Sequence, residues 1–192
     1  MTGSLPGPDG LPRCPWGAGP EIYTDYHDNE WGRPLRGDDA LFERMSLEAF
    51  QSGLAWITIL RKRENFRTAF DGFVIEKVAD FTAADHDRLM ADAGIVRNRA
   101  KIEAVMANAK VALDQPEGLS DLLWSFAPEA RPRPESFDTV PAVTPESKAM
   151  AKELRKRGFR FVGPTTAYAL MQAVGMVDDH LADCCVPPWP RA

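Results

Sequence analysis

Most of the chain carries apolar residues at the spacing of amphipathic helices. Apolar positions recur every three or four residues over 39–60, 83–95, 97–113, 145–158 and 164–175, with polar residues between them. Strict alternation of apolar and polar residues, which is typical of strands, is scarce, and no internal repeat appears. This pattern predicts an all-α fold.

Local signals set the predicted ends of these helices. Asp38 is a favourable N-cap for the first of them. Gly94 and Gly158 should each end a helix, and Pro164 takes a first helical position. Between 64 and 81 the sequence predicts one or two short helices.

Three segments lack helical periodicity. Residues 1–12 are rich in glycine and proline, which predicts a disordered tail ahead of a single domain over 13–192. Residues 13–32 are predicted to form a loop. The stretch 127–145 carries five prolines, so we interpret it as a long surface connection between two helical lobes of that domain.

Composition narrows the class of protein. The chain has 192 residues, of which 44% are hydrophobic, and this is ordinary for one globular domain. No apolar run reaches the roughly 18 to 20 residues of a membrane span, and the first residues lack the segments of a signal peptide, so we expect a cytoplasmic protein. Three cysteines argue against a disulfide framework and leave metal binding or inert burial.

The formal net charge of −5, taken alone, counts against nucleic acid as a partner. The cations are nevertheless clustered in three short stretches, 61–67, 97–101 and 152–160. An acidic protein can still present a basic face of this kind to DNA.

Sulfur and imidazole groups occur near both ends of the chain. On a helix, His180 and Cys184 would share one face, and Cys14 and His27 lie in the aromatic segment 13–32. Together they form a Cys2His2 set, which suits tetrahedral Zn²⁺ and leaves no open position, so such a zinc would be structural. The alternative is that these residues are inert cysteines and solvated histidines. On that helix Cys185 would point about 100° away from Cys184, so it is not included in the ligand set.

Glu48 falls on the inward stripe of its predicted helix, with Trp56 and the small Ser52 on the same side. Burying a carboxylate there is costly unless it is hydrogen-bonded or faces a cation. Glu48 is therefore a candidate pocket residue. The alternative is an ion pair with Arg44 or Arg63 and no further role.

Aromatic residues are dense in 13–32, and rings stack on planar bases and attract cations. With Glu48 at one edge, such a box would suit a flat heterocycle that bears positive charge. Aromatics more often fill a core, but their density in a predicted loop favours the box. Its members are Trp16, Tyr26, Trp31 and Trp56.

The stretch 154–170 reads as a basic helix, a glycine-bounded turn and a second helix. A turn of this kind exposes backbone N–H groups that can hold a phosphate, as in a helix-hairpin-helix element that binds DNA. Glycine-rich links between helices are common, and the flanking cations strengthen the interpretation. The turn comprises Gly158, Phe159, Arg160, Phe161, Val162 and Gly163.

Six motifs in order carry a resemblance to a known family: RCPW, YTDYHDNEWG, LEAFQSGLAWITILRKRENF, AGIVR, KRGFRFVG and DHLADCC. From Arg13 to about Pro187 the chain closely resembles the bacterial DNA-3-methyladenine glycosylase I family. The resemblance implies a largely helical member of the helix-hairpin-helix glycosylase group with one structural zinc, held by Cys14, His27, His180 and Cys184.

The resemblance further implies a base pocket built on Glu48, with Tyr26 and Trp56 beside it and Trp16, Tyr23 and Trp31 as further wall candidates. The substrate would be an alkylated adenine flipped out of double-stranded DNA, and the products a free base and an abasic site. No lysine stands out as a Schiff-base nucleophile, so strand cleavage is not expected.

Three finer expectations concern the DNA and the subunit. The turn around Gln51 to Leu54 is our candidate for the wedge that fills the gap left in the duplex. Asp178 is interpreted as an N-cap of the helix that bears His180, with assistance to attack at the sugar as the alternative. We expect a monomer.

Two other functions stay open on the sequence. The chain could be a zinc-stapled scaffold that binds nucleic acid without catalysis. It could also be a zinc hydrolase, which would need an open coordination position.

Overall fold

The structure, a computed structural model, describes residues 3–190. Within that range the chain is almost wholly helical, with one two-stranded hairpin and two short 3-10 turns, so the all-α prediction is confirmed. The strands are β1 Leu5–Pro6 and β2 Pro12–Arg13, and the helices are α1 Glu21–Asn29, α2 Asp38–Gln51, α3 Trp56–Ala69, α4 Ile75–Ala79, α5 Ala83–Ala91, α6 Arg99–Leu113, α7 Leu119–Trp124, α8 Pro145–Lys156 and α9 Pro164–Ala173.

Helix α2 is central to the packing, because it contacts α3, α4, α6, α7 and α9. Its buried side chains include Leu41, Phe42, Leu47 and Phe50, which are fully enclosed. Helix α4 packs on α6, and α8 packs on α9, to which a short turn joins it. One continuous apolar core therefore supports the elements that carry the site.

The predicted helix over 39–60 is wrong as a single element. Helix α2 ends at Gln51 and α3 begins at Trp56, with a turn closed by a hydrogen bond from the Leu54 N–H to the Gln51 carbonyl. Gly53 takes a φ of +81° in this turn, a conformation that glycine adopts without strain. Apolar residues continue at helical spacing through the turn, and this hid the break.

The predicted start of α2 differs from the structure, whereas the predicted boundaries at Gly158 and Pro164 agree with it. Asp38 is the first residue of α2 instead of its N-cap, and its carboxylate accepts the Ser120 N–H in the first turn of α7. Gly158 does end α8, with a φ of +102°, and Pro164 does begin α9. The region 64–81 is divided among the end of α3, a 3-10 turn at Asp71–Phe73 and α4.

The segment 13–32 contains α1, so the predicted loop is wrong over that helix. Helix α1 buries Tyr26 and His27. Because its inward face carries an aromatic and an imidazole instead of aliphatic residues, an apolar periodicity is nearly absent from the sequence.

The predicted disordered tail also differs from the structure. Strands β1 and β2 pair antiparallel, and the Arg13 guanidinium bridges the carboxylates of Asp9 and Asp28 at 2.6 and 2.7 Å. These ion pairs tie the hairpin to α1. Met1 and Thr2, which belong to the predicted tail, lie outside the described residues.

The chain after α9 is irregular from 176 to 190, so the helix predicted to bear His180 and Cys184 is absent from the described residues. Gly175, with a φ of +73°, lies where a Cβ would come within 2.5 Å of the Arg33 backbone. The positive φ of Gly175 lets the chain change direction after α9, and the missing Cβ lets it pass close to the backbone of Arg33.

The proline-rich stretch 127–145 is irregular as predicted, apart from a 3-10 turn at Phe137–Thr139 and its last residue, Pro145, which begins α8. Over residues 3–190, no helix has both the length and the apolar character that a membrane-spanning segment requires.

Candidate functional site

A cavity of about 360 Å³ opens where α1, α2, α3 and α9 meet. Glu48 and all five predicted pocket aromatics line it: Trp16, Tyr23, Tyr26, Trp31 and Trp56. The structure thus brings together residues that are up to 40 positions apart in the chain.

The aromatic walls hold one another mainly edge to face. Trp16 is central, with its ring centroid 5.0 Å from that of Trp31 and 5.9 Å from that of Tyr23, at interplanar angles of 81° and 80°. Tyr26 and Trp56 form the other side, with centroids 5.4 Å apart. Such ring pairs are favourable and fix the shape of the cavity.

Hydroxyl groups of the two tyrosines tie this wall to neighbouring helices. The Tyr23 hydroxyl accepts the Ile57 N–H at 2.9 Å, in the first turn of α3. The Tyr26 hydroxyl accepts from Arg44 at 3.2 Å, and burial raises the pKa of Tyr26 well above its usual value. Tyr26 is therefore a neutral phenol at physiological pH.

Glu48 is a buried carboxyl, with 5% of its surface exposed. Within residues 3–190 it forms no hydrogen bond or ion pair. Burial raises the pKa of Glu48 to about 7, and the nearby Arg44 guanidinium offsets only part of that effect. A carboxyl left without a partner on a cavity wall is available to a ligand.

The alternative of a direct ion pair to Glu48 is not what the structure shows. Arg44 and Arg63 both bind the carboxylate of Glu30, at 3.2 and 2.6 Å. The two arginines therefore support α1, and Glu48 stays free to face the cavity.

A second polar atom in the cavity wall lacks a partner. The indole Nε1 of Trp56 is buried and makes no hydrogen bond to any described residue. Burying an N–H donor without an acceptor is unfavourable unless a water or a ligand supplies one. The residues of the wall therefore include an acidic group without a partner and, in Trp56, a buried donor without an acceptor.

Sequence reasoning missed several residues of the lining. Phe137, from the proline-rich connection, stands at the cavity, and so does Gln172 of α9, whose Nε2 donates to the buried Asp179 at 2.9 Å. A phenylalanine in a proline-rich stretch was the one available signal. Ala55 and Ala169 complete the lining.

Three of the four predicted metal ligands form one group. The ligating atoms of Cys14, His27 and Cys184 all lie within 4.8 Å of one another. His180 is outside this group, with its Nε2 at 3.4 Å from the His27 carbonyl oxygen and its ring centroid 4.9 Å from that of His27. The two distant ends of the sequence thus meet, although without the predicted helix.

Carboxylates orient both histidines. The Nδ1 of His27 is 2.7 Å from Asp28, and the Nδ1 of His180 is 2.9 Å from Asp178. A carboxylate on one ring nitrogen leaves the other free to bind a metal, and this arrangement is usual at zinc sites. Cys184 lies 3.6 Å from His27 Nε2, and a hydrogen bond from Cys14 lowers the pKa of the Cys184 thiol. These donors suit Zn²⁺.

Asp178 is not an N-cap, because no helix follows it in the described chain. Its carboxylate binds His180 and also accepts from Arg133 at 2.8 Å.

Two glycines lie against the histidine rings: a Cβ on Gly17 would meet the His27 ring at 2.5 Å, and one on Gly32 would meet the His180 ring at 2.8 Å.

A turn joins α8 to α9, as the sequence predicts. Phe159 and Val162 are buried, whereas Arg160 and Phe161 are exposed. Phe161 has a φ of +56°, which is strained for a residue with a side chain. At the candidate wedge, Gln51 lines the cavity and Leu54 is exposed.

Comparison with known proteins places this geometry in context. A family model described as methyladenine glycosylase matches residues 16–187. A DNA-3-methyladenine glycosylase from Haemophilus influenzae is 49% identical over 178 residues, which is 90% of this chain and 96% of the relative. A DNA-3-methyladenine glycosylase 1 from Escherichia coli is 44% identical over 184 residues, which is 93% and 98%.

Solved structures agree in fold. The crystal structure of a 3-methyladenine DNA glycosylase I superposes with a TM-score of 0.87 at 43% sequence identity, covering 91% of this chain and all of the other. The match of the family model runs over most of the sequence and includes the cavity residues. The chain therefore belongs to the methyladenine glycosylase family.

Proposed function

We propose that this protein removes 3-methyladenine from alkylated double-stranded DNA by hydrolysis. The bond from the sugar C1′ to N9 of the base breaks with its electron pair going to N9, so the base leaves neutral; water adds its oxygen to C1′ and releases one proton to solvent, and the products are the free base and an abasic site. The observation that carries this proposal is the buried, unpartnered carboxyl of Glu48 in an aromatic cavity. The family membership supports the same activity.

The chemistry of the lesion explains why this cavity suffices. Methylation at N3 gives the adenine a positive charge in DNA, so the glycosidic bond is already weakened and no strong acid is needed. Rings attract a cation by about 2 kcal/mol when water is excluded. The base must leave the stack to reach the cavity, at a cost of a few kcal/mol that is least for a damaged base.

Glu48 supplies the selectivity against neutral adenine. Because the pKa of Glu48 is about 7, the empty site at neutral pH contains both the acid and the carboxylate. A cationic base favours the carboxylate, which accepts hydrogen bonds from the electron-poor edge of the purine. Neutral adenine gains less from this interaction. Tyr26 and Trp56 line the same cavity as Glu48 and would contact the base together with it, and Trp16, Tyr23 and Trp31 would complete the walls of the base pocket.

Zinc, in this proposal, has a structural role. Cys14, His27 and Cys184, with His180 as the fourth ligand, would hold one Zn²⁺ and link the N-terminal segment to the C-terminal one. Four protein ligands leave no position for an activated water. The rings of Trp16 and Trp31 pack against His27, so the same link steadies the cavity wall.

DNA would be held by two turns, of which 51–54 adjoins the cavity through Gln51. The turn 158–163 forms the helix-hairpin-helix contact to phosphates, through its backbone N–H groups and Arg160. The turn 51–54 enters the gap that the flipped base leaves, with Gln51 and Leu54 as the contacting side chains. We further expect the protein to act as a monomer in the cytoplasm.

Release of bases from methylated DNA tests this function directly. Purified protein is incubated with a duplex alkylated at adenine, and the released bases are identified by chromatography. The expected result is free 3-methyladenine, with strand breaks appearing only after alkali treatment. Binding of the duplex without any released base would instead support a non-catalytic scaffold. A water-occupied position on the metal would revive a zinc hydrolase.

A further inference from the structure

Helix α6 carries a buried lysine whose charge has no acidic partner. Lys101 is 7% exposed, and its Nζ donates to the carbonyl oxygens of Phe50 and Ser52 at 2.9 and 2.5 Å. Within the described residues it forms no ion pair, and burial lowers the pKa of Lys101. The two carbonyls belong to the end of α2 and to the turn that follows it, where carbonyls lack helical partners.

Two turns further along α6, a buried amide serves a different segment. Asn108 is 1% exposed. Its Oδ1 accepts the Arg160 N–H at 2.8 Å, and its Nδ2 donates to the Arg160 carbonyl at 3.0 Å. Both backbone groups of one residue in the α8–α9 turn are therefore held by one side chain.

The two side chains share a face of α6. They are seven residues apart, which is two helical turns and about 10 Å along the axis. Between them, Ile102 and Val105 are fully buried in the core, so the helix is a fixed support. Removing a lysine and an amide from water is costly, and their hydrogen bonds to backbone groups of the two turns offset this cost. The pair thus fixes position more than it adds stability.

We propose that Lys101 and Asn108 are positioning residues that hold the 51–54 turn and the 158–163 turn at one fixed separation for binding to DNA. This inference rests on the proposed function, in which the first turn enters the duplex and the second contacts its backbone. Neither side chain touches the base pocket. A rigid separation lets both turns engage the duplex at once, so no ordering cost is added on binding.

Loss of either anchor should therefore weaken duplex binding and spare the base pocket. In Lys101→Met the stem of the side chain is kept and the donor is lost, and in Asn108→Ala both bonds to Arg160 are lost. For each variant we expect the Kd for a lesion-containing duplex to rise at least tenfold. The Kd for free 3-methyladenine, read from tryptophan fluorescence, should stay within twofold of the original value.

Val105→Ala is the matched control. It removes buried volume from the same helix, between the two anchors, and removes no hydrogen bond to either turn. Like the anchor variants, it should lower the Tm, but its duplex Kd should stay within twofold of the value for the unmodified protein. The double variant Lys101→Met/Asn108→Ala should be little worse than either single one, because one lost anchor already frees the separation.

The proposal is overturned if the anchor variants lose Tm to the same extent as Val105→Ala while the duplex Kd stays unchanged. It is also overturned if the duplex Kd of the double variant rises by the full product of the two factors measured for the single variants. Failure of the proposed function would look different: the unmodified protein would release no base, while its affinity for duplex would still respond to Lys101→Met.

Discussion

Arg44 precedes Glu48 by one turn of α2, yet donates its hydrogen bonds to the Tyr26 hydroxyl and to Glu30 instead. The guanidinium therefore acts on the carboxyl only through space, and burial dominates its pKa. The protein keeps an acid in its core without neutralising it. This is destabilising in the free protein and useful when a cation enters the cavity.

Replacing Glu48 should consequently stabilise the protein at high pH. The pKa of this carboxyl is raised from 4.5 to about 7, so folding favours the protonated form, and this advantage is lost as the pH rises through 7. Glu48→Gln, which resembles the protonated acid, should match the original Tm at pH 4. At pH 8 it should exceed the original stability by about 3 kcal/mol. Thermal unfolding across that pH range measures the difference.

Base release by the same variant should fall by about 100-fold at pH 7.5, which corresponds to about 3 kcal/mol of lost interaction with the cation. Glu76→Gln, at an exposed position of α4, serves as the control and should alter neither property. Equal Tm profiles for Glu48→Gln and the original protein would show that the carboxyl is not held without a partner.

Trp56 allows the ring and its N–H to be tested separately. Trp56→Phe keeps an aromatic face and removes the buried, unpartnered Nε1, whereas Trp56→Leu removes both. If the ring attracts the cation, Trp56→Leu should weaken binding of the 3,9-dimethyladeninium cation, which keeps the positive charge that the free base loses on release, by about 2 kcal/mol, close to 30-fold. If Nε1 bonds the base, Trp56→Phe should lose about 1 kcal/mol. Calorimetric titration with this cation measures both losses, and equal affinities for the two variants would exclude a role for the ring face.

Much of the helical fold and of the cavity follows from local sequence. The helical spacing of Glu48 and Trp56 predicts that both face inward, and it does so correctly even though a turn separates α2 from α3. The turn itself was not predictable from periodicity, because apolar residues keep helical spacing on both sides of Ser52 and Gly53. A positive φ at a glycine is a local event that a repeat pattern does not report.

The residues that sequence analysis missed are those whose role depends on distant contacts. Phe137 reaches the cavity because Arg131 and Arg133 anchor the proline-rich connection on Asp179 and Asp178. Those pairs join positions more than 40 residues apart. Ligand chemistry predicted that Cys14 and Cys184 lie in one group of possible metal ligands, and the structure brings them together. The predicted helix between His180 and Cys184 was wrong, because i, i+4 spacing also occurs in turns.

Adjacent cysteines provide a matched test of the metal. Cys184→Ser removes a proposed zinc ligand, whereas Cys185→Ser changes a cysteine outside the group. We expect Cys185→Ser to retain one zinc per chain by elemental analysis and to unfold at the original Tm. Cys184→Ser should lose zinc and unfold about 10 °C lower, which corresponds to about 3 kcal/mol for a chain of this size. Zinc content that is the same in both variants would remove Cys184 from the ligand set.

The exposed turn between α8 and α9 should account for part of the salt dependence of DNA binding. Arg160 projects from this turn and forms no ion pair with any described residue, so it is free to neutralise one phosphate. Each such contact adds about 0.9 to the slope of log K against log salt concentration. Arg160→Ala should lower the slope by about that amount, for undamaged and methylated duplexes alike, because phosphates carry no base identity. Lys77→Ala, an exposed change on α4, should leave the slope unchanged. Fluorescence anisotropy measures the slope between about 50 and 200 mM salt, a range over which proteins with several phosphate contacts lose about 10³-fold or more in affinity for DNA. If Arg160→Ala leaves the slope unchanged, the phosphate contact lies elsewhere.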